Sequence, residues 1–193
     1  MERAFLPLVQ TSLRRPKQAA ELIMAMDLGR DVLWTALALV AVINTFLVML
    51  LVRVSDPGMP LPSYFERPLA LFIIIAGLMA VYIHAMYWAG LAIGGKGRLM
   101  DVLALVVWFQ VLRALAQMAI VILSLAVPPL GLLLSLAVAI WGFWIFLNFI
   151  AAALELRTPW HAMAVLAVAF VGLVLGLGVL MALIGGIAQG ALS

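Results

Sequence analysis

Three polar residues recur on one face of a long apolar stretch: Gln110, Arg113 and Gln117. Helical residues spaced by three, four or seven positions lie on the same side, so these side chains form one stripe. Asn44 and His84 occur inside other apolar stretches. At about 1.5 Å per helical residue, Asn44 and Arg113 lie at similar depth, roughly 20 Å from one end of their helices. We therefore expect these five residues to form one polar cluster.

Arg113 has three candidate roles at this depth. It can lock helix packing by bonding to side-chain amides, backbone carbonyls and water. It can bind an anion, a lipid headgroup or a substrate, since ionisable groups inside a membrane often mark function. It can also pair with an acidic residue of a partner subunit, because the sequence has no Asp or Glu near that depth. The sequence leaves all three open.

The sequence contains no group of residues that indicates catalysis. The sequence contains neither a serine–histidine–acid set nor a pair of carboxylates suited to acid–base work. There are no cysteines, and His84 and His161 fall at different depths, so neither a metal site nor a haem is expected. Lys96 lies in a GGKG turn that lacks the spacing of a phosphate-binding loop. We predict a protein that is not an enzyme and holds no cofactor or metal.

The composition predicts that these residues lie in a membrane. Of the 193 residues, 68% are hydrophobic and 10% are charged, against roughly 45–50% and about 25% in soluble domains. A spanning helix needs about 20 apolar residues. The net charge of +3 is attributed to cations kept in cytoplasmic loops, and no basic run interleaved with aromatics supports binding to nucleic acid.

Five apolar segments are long enough to span a bilayer, where the backbone must satisfy its own hydrogen bonds. The predicted fold is therefore all-α, an integral membrane bundle of five transmembrane helices in one domain, residues 31–193. The expected spans are 31–52, 69–94, 99–127, 130–154 and 162–188. Glycines four apart, as in Gly172 and Gly176 or Gly90 and Gly94, suit close helix packing, within the chain rather than between copies.

Residues 1–30 form a cytoplasmic N-terminal segment in this interpretation. Ala19, Leu22, Ile23 and Met26 recur at helical spacing after Pro16. This pattern favours a short amphipathic helix lying at the membrane surface. The alternative is a lead-in segment that rests on the helix bundle.

The orientation follows from the distribution of lysine and arginine. Cytoplasmic loops of membrane proteins carry an excess of these residues. With the N-terminus in the cytoplasm, Arg53 and Arg67 lie outside and eight cations lie inside: Arg3, Arg14, Arg15, Lys17, Arg30, Lys96, Arg98 and Arg157. We expect a cytoplasmic N-terminus and, after an odd number of spans, a C-terminus on the opposite side of a bacterial inner membrane.

Several junctions resemble those of the Yip family, in its bacterial branch. These are the segment SLRRPKQAAELIMAM, the turn GLAIGGKGRLMDVL at residues 90–103, the Pro128-Pro129 pair and the entry ALELRTPWHAMAVLAV to the last helix, preceded by Trp141. The resemblance implies five transmembrane helices and a cytoplasmic N-terminus. Eukaryotic members of the family are trafficking factors that engage lipidated Rab GTPases and shape membranes.

The function predicted from these features is that of a membrane scaffold or accessory protein. Its partners would be the lipid bilayer and either another membrane protein or further copies of the chain. The alternative is a small transporter or channel for an anionic or polar solute, using the stripe around Arg113. An enzyme acting on lipids ranks third.

The topology can be tested with reporter fusions. A reporter placed in the loop at Gly95 and one placed at Ser193 should report opposite sides of the membrane, the first cytoplasmic, because the positive-inside bias favours that orientation. The measurement compares two reporters whose signals depend on the compartment, alkaline phosphatase and green fluorescent protein. The same side for both fusions would contradict the five-span topology.

Overall fold

The computed structural model describes residues 2–54, 65 and 67–190. Within these residues the chain forms seven α-helices and no strand, which confirms the all-α class. The helices are α1 (Glu2–Arg14), α2 (Pro16–Met24), α3 (Arg30–Val54), α4 (Pro68–Ala92), α5 (Leu99–Ala126), α6 (Pro128–Ala153) and α7 (Pro159–Gly190).

The last five helices, α3 to α7, are long and apolar enough to cross a membrane. A prolyl residue starts α4, α6 and α7, a position where the missing N–H costs nothing because it would have no helical partner. The predicted span after Pro128-Pro129 therefore begins two residues earlier than expected, on Pro128 itself. Only Val127, in an extended conformation, separates α5 from α6, so these two helices form a tight antiparallel hairpin.

Among the five spans, α3 contacts α4 and α5, α4 also contacts α5, α7 contacts α4 and α6, and the α5–α6 hairpin completes the bundle. The core lies toward the end that contains Leu99. There α5 is buried on every side, since six consecutive residues, from Val102 to Val107, are at most 8% exposed. Six residues exceed one helical turn, so no face of α5 remains for lipid along this stretch.

The N-terminal segment supplies part of that enclosure. It consists of two helices divided at Arg15, before Pro16. Helix α2 is amphipathic, and its apolar residues Ala19, Ala20 and Ile23 are buried against α5 and α6. The segment therefore rests on the bundle, as in the alternative interpretation, and leaves its charged residues Arg15 and Lys17 exposed.

The glycines differ in how closely neighbouring helices approach them. Gly90 lies against the side chain of Leu154, so this part of the predicted small-residue packing occurs within the chain. A Cβ atom added to Gly172 or Gly176 would meet no neighbouring atom within 4 Å, so the prediction that these two glycines pack within the chain is wrong. They lie on the same face as Val165 and Ala169, seven residues earlier, but beyond the buried part of α7, and both are exposed.

The turn between α4 and α5 lies directly on the α6–α7 loop. The backbone N–H of Lys96 donates to the carbonyl of Leu154 at 3.0 Å. A Cβ atom on Gly97 would overlap the carbonyl group of Ala153, and Gly94 has a φ of +96°, which side chains rarely tolerate. The GGKG sequence is thus explained by a close approach of two backbones.

Replacing Gly97 by alanine should destabilise the protein by about 1–3 kcal/mol, because the added methyl group meets backbone that cannot move aside. Thermal unfolding in detergent would measure the loss. Gly77→Ala is the matched control, since Gly77 lies inside α4 with open space around it. That variant should be equally or slightly more stable, and equal effects of the two substitutions would contradict the packing explanation.

Candidate functional site

Arg113 and Asn44 are hydrogen bonded across the bundle. The guanidinium Nη2 of Arg113 in α5 donates to Oδ1 of Asn44 in α3. Asn44 is only 5% exposed, and its Nδ2 donates to the carbonyl of Val40 at 2.9 Å. Both functions of the Asn44 amide are therefore satisfied, and the two residues lie at the equal depth that counting along the helices indicated.

The remainder of the Arg113 side chain opens into a groove between α5 and α6. This α5–α6 groove has a volume of about 720 Å³ and is lined on the α5 side by Phe109, Arg113 and Gln117. Its α6 side includes Ser135 and Trp141. Arg113 is exposed there. Arg113 therefore contacts the bundle interior only through the nitrogen bonded to Asn44.

Helix α1 closes the groove at one end, where Leu13 and Arg14 contribute to the lining. Two indole groups hold this end of α1 in place. Nε1 of Trp141 donates to the carbonyl of Leu13 at 3.0 Å, and Nε1 of Trp108 donates to Oγ of the fully buried Ser12 at 2.9 Å. The ring of Phe5 also packs edge-on against Trp108, at 5.6 Å between centroids.

The other members of the predicted cluster are placed differently. Gln117 shares the groove with Arg113. Gln110 is half-buried, and its Oε1 is buried without a hydrogen-bond donor among the described residues. His84 makes its contacts elsewhere, since Nδ1 lies 2.7 Å from the carbonyl of Ala80 and the ring stacks on Trp34. The described contacts thus bring together Arg113, Asn44 and Gln117, but not His84.

The groove is positively charged. Arg14 and Arg113 both line it, and none of its described lining residues is an Asp or Glu. In the part of the chain that the structure describes, Arg14 has no ion-pair partner, and the one partner of Arg113 is a neutral amide. An arginine offers five N–H donors, so most of the donors in the groove are open to a ligand or water.

The ion pairs lie at the Leu99 end of the bundle instead. Arg98 forms a two-bond contact with Asp101, at 3.0 and 3.1 Å, and lies 3.6 Å from Asp27 in the turn after α2. The hydrogen bond and charge of Asp101, with the charge of Asp27, raise the pKa of Arg98 above its ordinary value. All three groups are near the start of α5, so this network fastens the α2–α3 turn rather than serving the groove.

Sequence reasoning missed Arg14, Ser12 and Trp108 as parts of this site. It assigned the first thirty residues to the membrane surface and so did not connect them with the depth of Arg113. One signal was present: Ser12 is a small polar residue on the same face as Phe5 and Leu8. Such a residue can donate to its own helix and accept a bond from a partner, as Ser12 does with Leu8 and Trp108.

The described residues contain no group of three or more His, Cys, Asp or Glu side chains that could hold a metal ion. What they define is a multi-pass integral membrane protein with five apolar helices. A family model described as the Yip1 domain matches residues 11–183. The chain belongs to this family, which is not known as an enzyme family. No curated protein and no solved structure matches the chain.

The bond between α3 and α5 can be measured with a double-mutant cycle of Asn44→Leu and Arg113→Gln. The coupling free energy should be about 1 kcal/mol, within the range of side-chain hydrogen bonds between membrane helices. Unfolding in detergent micelles provides the stabilities. A second cycle that pairs Asn44→Leu with Arg67→Gln, an exposed cation before α4, should show additive effects. Additivity in both cycles would rule out the interhelical bond.

Proposed function

We propose that this Yip1 family protein is a non-enzymatic scaffold or accessory protein of a bacterial inner membrane. Its N-terminal segment, residues 1–30, would lie on the cytoplasmic side and residues 31–193 would form the transmembrane domain. It would act by contact with another membrane protein or with a second copy of itself, and by organising the lipid around it. The cation distribution supports this orientation.

The observation that carries the proposal is the continuity of the helices at the depth of the polar residues. Helix α3 is unbroken around Asn44, and α5 is unbroken around Arg113. Transporters bind their substrates near the midplane at discontinuous helices, whose freed backbone groups coordinate the solute. A bundle whose central polar groups bond to each other across unbroken helices is suited to holding a fixed shape.

The alternative function, a transporter or channel for an anionic or polar solute, has one observation in its favour. The α5–α6 groove places Arg113 beside Gln117 and Ser135, so a polar solute would find both donors and acceptors there. A transport role would require this groove to open in turn to each side of the membrane.

Partner capture and flux assays distinguish the two functions. The full chain purified in mild detergent should retain a membrane protein or a second copy of itself, identified by mass spectrometry and crosslinking. Vesicles containing the purified chain should show no saturable anion flux. An unrelated five-span protein of similar expression is the control for non-specific capture. Flux that disappears in a folded Arg113→Gln variant would favour the transporter, and a chain that captures nothing would remove the scaffold proposal.

A further inference from the structure

The two flanks of the bundle meet the membrane boundary at different depths. On the α4–α7 flank, Trp88 and Trp160 are 64% and 71% exposed close to the helix ends, where aromatic residues mark the interface. On the α5–α6 flank, the exposed cations of the α1–α2 junction lie beside Trp141. That residue is 12 positions before the end of α6, or about 18 Å along the helix.

A charged chain segment at this depth is incompatible with undisturbed hydrocarbon. Half of a bilayer core measures about 15 Å, so Arg14, Arg15 and Lys17 would otherwise lie near its centre, where each cation is costly. The region is covered by α1 and α2 on one side, but Arg14 and Arg113 remain exposed to the groove. An anionic group must therefore reach this level, or water must.

The shape of the groove favours a lipid as the source of that anion. Beyond Arg113 the α5 lining of the groove continues to Ile120, seven residues or about 10 Å along the helix. Helix α5 itself continues to Ala126, about 20 Å from Arg113, which is longer than the roughly 15 Å of hydrocarbon in one leaflet. The lining of the groove beyond Arg113 is mostly apolar and includes Ala116, Ile120 and Val138. A charged head at the two arginines with an apolar tail along the hairpin matches both parts of the groove.

We propose that the α5–α6 groove binds one anionic phospholipid from the leaflet at the Leu99 end. Its phosphate lies between the guanidinium groups of Arg14 and Arg113, and an acyl chain follows the hairpin toward Pro128. Charge-assisted hydrogen bonds of arginine to phosphate are the strong class of such contacts. The bound lipid draws the headgroup layer inward on this flank, so the protein thins one leaflet locally.

This inference goes beyond the scaffold role and does not depend on it. A free inorganic anion, an acidic side chain of a partner helix, or water alone would also satisfy Arg113. Each of these makes a different prediction about what the purified chain retains, and about which residues retention depends on.

Native mass spectrometry of the full chain in detergent tests the proposal. The probes are phosphatidylglycerol and phosphatidylcholine with identical acyl chains. The chain should retain one phosphatidylglycerol and bind it about tenfold more tightly than phosphatidylcholine, a difference of ~1.4 kcal/mol. Arg14→Gln and Arg113→Gln should each weaken phosphatidylglycerol binding about tenfold. Arg157→Gln, which removes an exposed cation from the loop before α7, should leave binding unchanged.

Arg14→Gln keeps the test valid if loss of Arg113 impairs folding, because Arg14 has no bond to Asn44. Equal binding of the two lipids, or equal losses from Arg157→Gln and Arg14→Gln, would overturn the proposal. So would displacement of the lipid by millimolar inorganic phosphate, which indicates a free-anion site, or a lipid-free dimer crosslinked through the groove. Partner capture by the Arg14→Gln variant separates this proposal from the scaffold role, since capture should persist when the lipid is lost.

Discussion

Hydrocarbon offers no hydrogen bonds, and this constraint shapes the bundle from its backbone to its few polar side chains. It requires the spans to be helices and makes a hydrogen-bond partner within the protein valuable to a buried polar side chain. Asn44 meets the requirement twice, through Val40 and Arg113. The indoles of Trp108 and Trp141 meet it by binding α1. The N-terminal segment is therefore part of the solution for α5 and α6, because it accepts the hydrogen bonds that lipid cannot.

The same constraint divides the molecule into two halves. Toward Leu99, α5 is enclosed by neighbouring helices, and the GGKG turn brings two backbones together at Gly97 and Ala153. Toward Ala126, apolar side chains such as Ile122 and Leu125 are largely exposed. Exposed apolar side chains are typical of a surface that faces lipid. Arg113 lies at the boundary between the halves. Its guanidinium bonds to Asn44 in the packed interior on one side and lines the α5–α6 groove on the other. The side chain is therefore partly bonded within the protein and partly exposed.

The sequence predicted the all-α class, the five spans and the family, because the length of an apolar run and its proline and charge boundaries are local properties. It also matched the depths of Asn44 and Arg113, since the rise per residue of a helix is fixed. It did not predict where α1 lies. That placement depends on Ser12 and the carbonyl of Leu13 meeting two indoles far along the chain, those of Trp108 and Trp141. It also failed at Gly172 and Gly176, because the spacing of small residues does not reveal how far along α7 its contacts with neighbouring helices extend.

The arrangement of α1 and α2 connects the packing of the chain to its effect on the bilayer. A helix resting at the surface would leave both flanks of the bundle with the same boundary. In the proposed arrangement, a segment held about 18 Å along α6 by Trp141, at about 1.5 Å per residue, gives one flank a polar boundary near the centre of the membrane. In that arrangement lipid headgroups or water must solvate the exposed Arg15 and Lys17. The bonds of Trp108 and Trp141 to α1 therefore connect the packing of the N-terminal segment with the proposed thinning of the leaflet.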